Sequence, residues 1–148
     1  MAAKNGDFLF VYGTLLSTAG HSLGAFLRDR AELVGEGTIR ARLYIVEEVD
    51  ADGVNRYPAA LPVHQRDDRV WGEVYRITDA ETLMPRLDAF EACAPGCKEP
   101  YEFLPRAVEV TMAGGDAATA WSYLYTYDVT GMRHIPSGRF EGAMPGAR

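Results

Sequence analysis

Phe8-Leu9-Phe10-Val11-Tyr12-Gly13-Thr14-Leu15 is the stretch on which the reading of the chain turns. Its first five residues are an apolar run with the β-branched and aromatic character of a buried strand, and Gly13 stops the run in a tight turn. A strand with apolar residues on both faces belongs at the centre of a sheet. Downstream, Leu23, Phe26 and Leu27 recur at helical spacing between Ser17 and Arg28. Gly20 and Gly24 each weaken such a helix by about 1 kcal/mol relative to alanine, so a short, irregular helix is expected. Glu32 to Val46 mixes alternation with Gly35 and Gly37, the pattern of a strand that bulges or bends, and this predicts a curved or barrel-like sheet. Asp50-Ala51-Asp52-Gly53 reads as a turn. Tyr57 to Val63 carries two prolines and suits only an edge or irregular strand.

Val70 to Ile77 alternates cleanly, with Val70, Gly72, Val74 and Arg76 on one face and Trp71, Glu73, Tyr75 and Ile77 on the other. Thr78-Asp79-Ala80-Glu81 has the Thr-x-x-Glu spacing of a capping box, which predicts a helix start. That helix runs to about Glu91 and is either kinked by Pro85 or split so that Pro85 opens a second one. Cys93 to Cys97 breaks the period. Phe103 to Met112 and Ala117 to Tyr127 then read as hairpin arms joined near Gly114-Gly115-Asp116, with Trp121, Tyr123, Tyr125 and Tyr127 on one face. From about residue 129 to Arg148 there is no apolar period, so an irregular tail that frays at its end is expected.

The 148 residues are 47% hydrophobic, 24% charged and 11% aromatic, which excludes disordered, collagenous and coiled-coil chains and predicts one domain over residues 1–148. A chain this long buries roughly two-thirds of its unfolded surface and needs no disulfide or metal staple. Twenty-one acidic against fifteen basic residues give a net charge of −6, and the bases are scattered, which argues against a nucleic-acid partner. No apolar run approaches the roughly 18 residues of a membrane span, and the first seven residues lack the apolar core of a secretory signal. A cytoplasmic protein with no membrane partner is the expectation.

Two segments could carry chemistry. The strand ending at Gly13 can point successive backbone N–H groups outward to hold a carboxylate or an oxyanion, or it can be only a turn. Glu91 lies four residues beyond Leu87 and eight beyond Leu83, on their apolar stripe, where burial raises a carboxyl pKa and suits proton transfer. It can equally end a frayed helix in water or pair with Arg86 or Arg106. Other signals do not develop. Cys93 and Cys97 have neither redox nor zinc-knuckle spacing, and His21, His64 and His134 share no ligand spacing, so neither a metal nor a cofactor is expected. Ser137 has no GxSxG setting and Gly114-Gly115 no phosphate-loop lysine. The aromatic row from Trp121 lacks the basic groove of a single-strand binder. Gln65-Arg66-Asp67-Asp68-Arg69 reads as a solvated turn.

Taken in order, Val11-Tyr12-Gly13-Thr14-Leu15, Arg56-Tyr57-Pro58-Ala59-Ala60, Gly72-Glu73-Val74-Tyr75, Leu87-Asp88-Ala89-Phe90-Glu91-Ala92-Cys93 and Trp121-Ser122-Tyr123-Leu124-Tyr125 make the chain similar to the γ-glutamylcyclotransferase-like family, in particular its γ-glutamylamine branch. The resemblance implies an α+β fold, a small mixed β-barrel with few short helices. It also implies cleavage of a small-molecule γ-glutamyl amine or peptide by its own α-amine, giving 5-oxoproline and a free amine without metal or cofactor. Carried over, Gly13, Thr14 and Leu15 grip the substrate through backbone N–H groups, Tyr12 walls the loop, and Glu91 is the acid/base. Tyr101 and Tyr125 are either pocket tyrosines or packed strand residues. Ala94 to Pro100 is longer than the family's corresponding connection. Two other uses of the same cavity stay open: a non-catalytic binding or regulatory module, and removal of a γ-glutamyl protecting group from a biosynthetic intermediate. The proline-bearing edge strand favours a monomer.

Overall fold

The computed structural model describes residues 3–63 and 67–140. Its elements are β1 (Phe8–Val11), α1 (Ser22–Arg28), β2 (Ala31–Asp50), β3 (Gly53–Pro62), β4 (Arg69–Ile77), α2 (Ala80–Phe90), β5 (Phe103–Met112), β6 (Ala117–Tyr125) and β7 (Arg133–Ile135). Strands β2, β4, β1, β6 and β5 pair in that order, and β5 returns to β2 through Gly37 with Met112 and Thr38 with Thr111. This closes a five-stranded barrel, an α+β fold with two helices among the described residues. As its apolar run predicts, β1 is flanked on both sides, antiparallel to β4 and parallel to β6.

The long β2 makes closure possible by serving two sheets. Its first half pairs with β4 through a bulge between Leu33 and Gly35, and its second half pairs with β3 from Ala41 to Asp50. At Gly37 a Cβ would come within 2.6 Å of Val110 Cγ1 and 2.9 Å of the Thr111 carbonyl oxygen, so only glycine lets β5 approach closely enough to pair. The alternation of each strand sorts the core into two clusters. Phe10, Ile39, Val70, Val74, Val110 and Leu124 fill the barrel interior. Leu9, Val11, Tyr75 and Ile77 face outward against Leu23 and Leu27 of α1 and Leu83 and Leu87 of α2. The helices therefore cover one outer flank of the barrel.

Several local expectations are corrected. The helix predicted from Ser17 starts at Ser22, capped by the His21 side chain, which accepts from Leu23 N; Ser17 itself is bonded to the side chain of Glu73. The cap of α2 is Asp79 rather than Thr78, with Asp79 Oδ1 accepting from Thr82 N at 3.3 Å. Of the two readings of Pro85 the split is excluded, since α2 runs through it as one helix. The arm β6 stops at Tyr125, with Tyr127 beyond it. The tail expected to be irregular contributes β7, which pairs with Leu43–Ile45 of β2, and Phe140, which is buried in the barrel interior. His64, the Gln65-Arg66 part of the mixed-charge run and the chain end 141–148 lie outside the described residues. No helix among the described residues is long and apolar enough to cross a membrane.

Candidate active site

Beyond β1 the chain turns at once: Leu16 N donates to the Gly13 carbonyl at 3.0 Å. The turn is pinned from its front by Tyr12, whose hydroxyl donates to the Tyr123 carbonyl at 2.7 Å and accepts from Ala60 N at 3.2 Å. One side chain thereby ties the end of β1 to both β6 and β3. Burial raises the Tyr12 pKa well above the ordinary phenol range, and the nearby charge of Glu91 adds to it. The group stays a protonated donor. A Cβ at Gly13 would overlap the ring of Pro58 on β3, so glycine is required for the loop to lie against that strand. Thr14 and Leu15 are both buried.

Glu91 is the C-cap of α2. Leu83 and Leu87 are fully buried and Glu91 is half-buried on the continuation of their stripe. The helix ends in a left-handed residue, Ala92 at φ 60°, with Ala92 N bonded to the Ala89 carbonyl and Cys93 N to the Asp88 carbonyl. This pattern satisfies the last carbonyls and turns the chain sharply away. A carboxylate there faces the negative end of the helix dipole, an unfavourable place for a merely structural acid.

The two segments meet. Tyr12, Gly13, Thr14, Leu15 and Glu91 line one partly open cleft, whose other walls include Tyr57, Pro58, Phe90, Phe103 and Tyr123. Tyr101 and Tyr125 are not among its lining residues. Tyr101 precedes β5, where its carbonyl accepts from Thr126 Oγ1 at 2.5 Å. The Tyr125 ring packs edge-on against Phe103, with centroids 5.3 Å apart. Besides Tyr12, the tyrosines that reach the cleft are Tyr123, two residues back on the same face of β6, and Tyr57. Tyr123 donates to Asp88 Oδ1 at 2.5 Å, and burial together with this carboxylate holds its pKa far up. Tyr57 donates to Glu48 Oε1 at 2.7 Å and also contacts Glu102; burial and the two carboxylates raise its pKa in the same way. The Arg56-Tyr57-Pro58 segment is the available signal for Tyr57: it belongs to the family resemblance and to an edge strand, and neither reading gives Tyr57 a place in the site.

Cys93 lies 3.9 Å from Asp88 Oδ1, and burial, with Asp88 and Glu91 nearby, pushes its thiol up to about 12. It stays protonated and a poor nucleophile near neutral pH. Among the described residues no group of three His, Cys, Asp or Glu side chains is arranged to hold a metal ion.

Sequence reading also missed the role of Glu73. Alternation placed it on the face of β4 shared with Trp71, Tyr75 and Ile77 without revealing its partners. Only 8% exposed, it accepts from Ser17 N at 2.8 Å, Ser17 Oγ at 2.5 Å and Tyr75 Oη at 3.0 Å.

Barrel and flanking helices form the fold of the gamma-glutamyl cyclotransferase-like proteins. The family described as gamma-glutamyl cyclotransferase, AIG2-like, matches residues 9–142, and the chain belongs to it. In structure it is similar to an AIG2-like protein from Mus musculus, with a TM-score of 0.69 and 21% identity over 98% of this chain and 95% of that one. It is also similar to YkqA from Bacillus subtilis, with a TM-score of 0.61 and 21% identity; the match covers 90% of this chain and 39% of YkqA. A protein described as gamma-glutamyl cyclotransferase matches with a TM-score of 0.56 and 16% identity over 86% of this chain and 69% of that one. At these identities the likeness is one of fold. No curated protein matches the sequence.

Proposed function

We propose that the protein cleaves a γ-glutamyl amine or γ-glutamyl peptide, releasing 5-oxoproline and a free amine, with Glu91 as general acid/base and the loop from Tyr12 to Leu15 as substrate cradle. The observation that carries this reading is the single cleft lined by both segments, which lie about eighty residues apart in the chain. In this reaction nucleophile and electrophile belong to one molecule. The α-amine attacks the γ-carbonyl carbon, a five-membered lactam forms, and the bond to the departing nitrogen breaks. Glu91 accepts the proton that the ammonium must lose and returns it to the leaving amine. Backbone N–H groups of the loop hold the glutamyl carboxylate, and a donor aimed at the γ-carbonyl oxygen stabilises the developing oxyanion, an effect commonly worth about 3 kcal/mol.

Holding the glutamyl chain curled supplies much of the acceleration, since effective molarities of well-oriented intramolecular attack reach about 10⁵–10⁸ M. The apolar and aromatic walls, Leu15, Phe90 and Phe103, suit this task by excluding water from the curled chain. Two free cysteines accord with a reducing, cytoplasmic setting. The test is incubation of the purified protein with γ-glutamyl-n-butylamine and with γ-glutamyl-alanine. Release of 5-oxoproline, abolished in Glu91→Gln, is the expected result. Activity that survives Glu91→Gln removes Glu91 from the mechanism.

A further inference from the structure

The chemistry proposed for the cleft assigns no part to Glu73, yet a buried carboxylate is retained only where its lone pairs are satisfied. Its three donors are unevenly distributed. One is Tyr75 Oη, two residues along the same strand; the other two, an amide and a hydroxyl, both belong to Ser17. In register Glu73 sits opposite Val11, the last residue of β1, so its side chain lies beside the point where the loop leaves the barrel. Arg28 of α1 lies against the Tyr75 phenol and brings positive charge to the group. A glutamine could not replace this side chain fully, because one carbonyl oxygen cannot accept from all three donors.

The loop is thus clamped at both ends. Upstream, Tyr12 is fixed to β6 and β3 and Gly13 rests on Pro58; downstream, Ser17 is fixed to β4. Between the clamps the Gly13–Leu16 turn closes on its own hydrogen bond. Gly13, Thr14 and Leu15, which line the cleft with Glu91, are what the two clamps hold in place.

We propose that Glu73 is the positioning residue of the substrate loop: by accepting both the amide and the hydroxyl of Ser17 it sets the spacing between the Gly13–Leu15 backbone donors and Glu91, and so the affinity for the curled γ-glutamyl chain. This inference rests on the cyclotransferase reading of the cleft. It predicts a division of labour. Loss of Glu91 removes proton transfer and lowers kcat, whereas loss of Glu73 loosens the grip and raises KM.

The experiment compares Glu73→Leu, Glu73→Gln, Ser17→Ala and the double variant Ser17→Ala/Glu73→Leu. Each is assayed with γ-glutamyl-alanine and followed by amide hydrogen exchange. In Glu73→Leu, KM rises about tenfold or more, the scale of one lost charged hydrogen bond, while kcat stays within about threefold. The Ser17 amide exchanges faster while β1 and β4 amides keep their protection. Glu73→Gln, which retains one acceptor, restores most of the affinity, and Ser17→Ala adds nothing to Glu73→Leu. A wild-type KM in Glu73→Leu, or unchanged exchange at Ser17, overturns the proposal. Should Glu73→Leu not fold, Glu73→Gln and Ser17→Ala decide: a raised KM in Ser17→Ala supports the anchor, and a wild-type KM in both overturns it. If the wild-type protein forms no 5-oxoproline, the cyclotransferase reading fails by itself, and Ser17 exchange in the variants still decides the anchor.

Discussion

Glu73 and Glu91 stand near the two ends of one loop, and their surroundings differ in kind. Glu73 lies mid-strand on β4, nearly sealed from solvent, with three donors converging on its carboxylate. Glu91 lies at the end of α2, half-buried, on the wall of an open cleft. A carboxylate enclosed by hydrogen-bond donors is held in one geometry; one that borders a cleft at the unfavourable end of a helix can exchange a proton with a guest. In the proposed mechanism the same residue type serves rigidity in one place and reactivity in the other, and the surrounding elements decide which.

The sharpest way to break this contrast is Glu91→Gln. It keeps shape and burial, and 5-oxoproline formation is expected to fall by about 10²–10⁴ in kcat, the usual range for general acid/base groups, with Tm unchanged. A parallel loss of Tm would make Glu91 a structural group.

The next effect comes from five buried phenols. Tyr12, Tyr57, Tyr75, Tyr123 and Tyr125 all have raised pKa values with burial as the leading cause, and Tyr75 and Tyr125 are pushed up to about 12. An unfolded tyrosine ionises near about pH 10, so above that pH the unfolded chain releases protons that the native chain retains. Stability is therefore complete below about pH 10 and is lost as pH rises toward 12, by up to about 1.4 kcal/mol per pH unit for each phenol. Denaturant midpoints measured from pH 8 to 11.5 check the direction. A flat profile would mean that these side chains are not sealed as described.

A smaller effect tests the front clamp of the loop. Gly13→Ala places a methyl group against Pro58, and overpacking of this kind typically costs about 1–3 kcal/mol. Loss of Tm together with a raised KM is expected, in the direction of Glu73→Leu rather than Glu91→Gln. The smallest effect lies next to Glu91 itself. Ala92 holds a left-handed conformation at φ 60°, and Ala92→Gly should raise stability by about 0.5–1 kcal/mol, read as a higher denaturant midpoint.

Much of this architecture was legible before any coordinates. Two-residue alternation marked β4 and the β5–β6 hairpin, the apolar run marked β1 as central, and Gly35 and Gly37 marked the bend that closes the barrel. The Leu83, Leu87, Glu91 stripe put a carboxylate at the edge of the core. Other features left no local trace. β7 is three residues, Arg133-His134-Ile135, too short to show a period, and exists because β2 offers it an unpaired edge. Thr78 and Asp79 are both good caps, and only the helix geometry chose Asp79. Tyr123 and Tyr125 are equivalent by alternation on β6, yet one borders the cleft and the other packs on Phe103.

By itself the sequence determined what depends on neighbours within a few residues: which segments are strands or helices, which faces are apolar, and which residues have the chemistry to act. Burial and backbone hydrogen bonding impose those patterns locally. The tertiary structure alone decided which distant groups meet, because closure of β5 onto β2 and the docking of α2 on the barrel bring Glu91 to the Gly13 loop and Glu73 to Ser17. Such meetings are set by the packing of the whole chain, and no spacing along it records them.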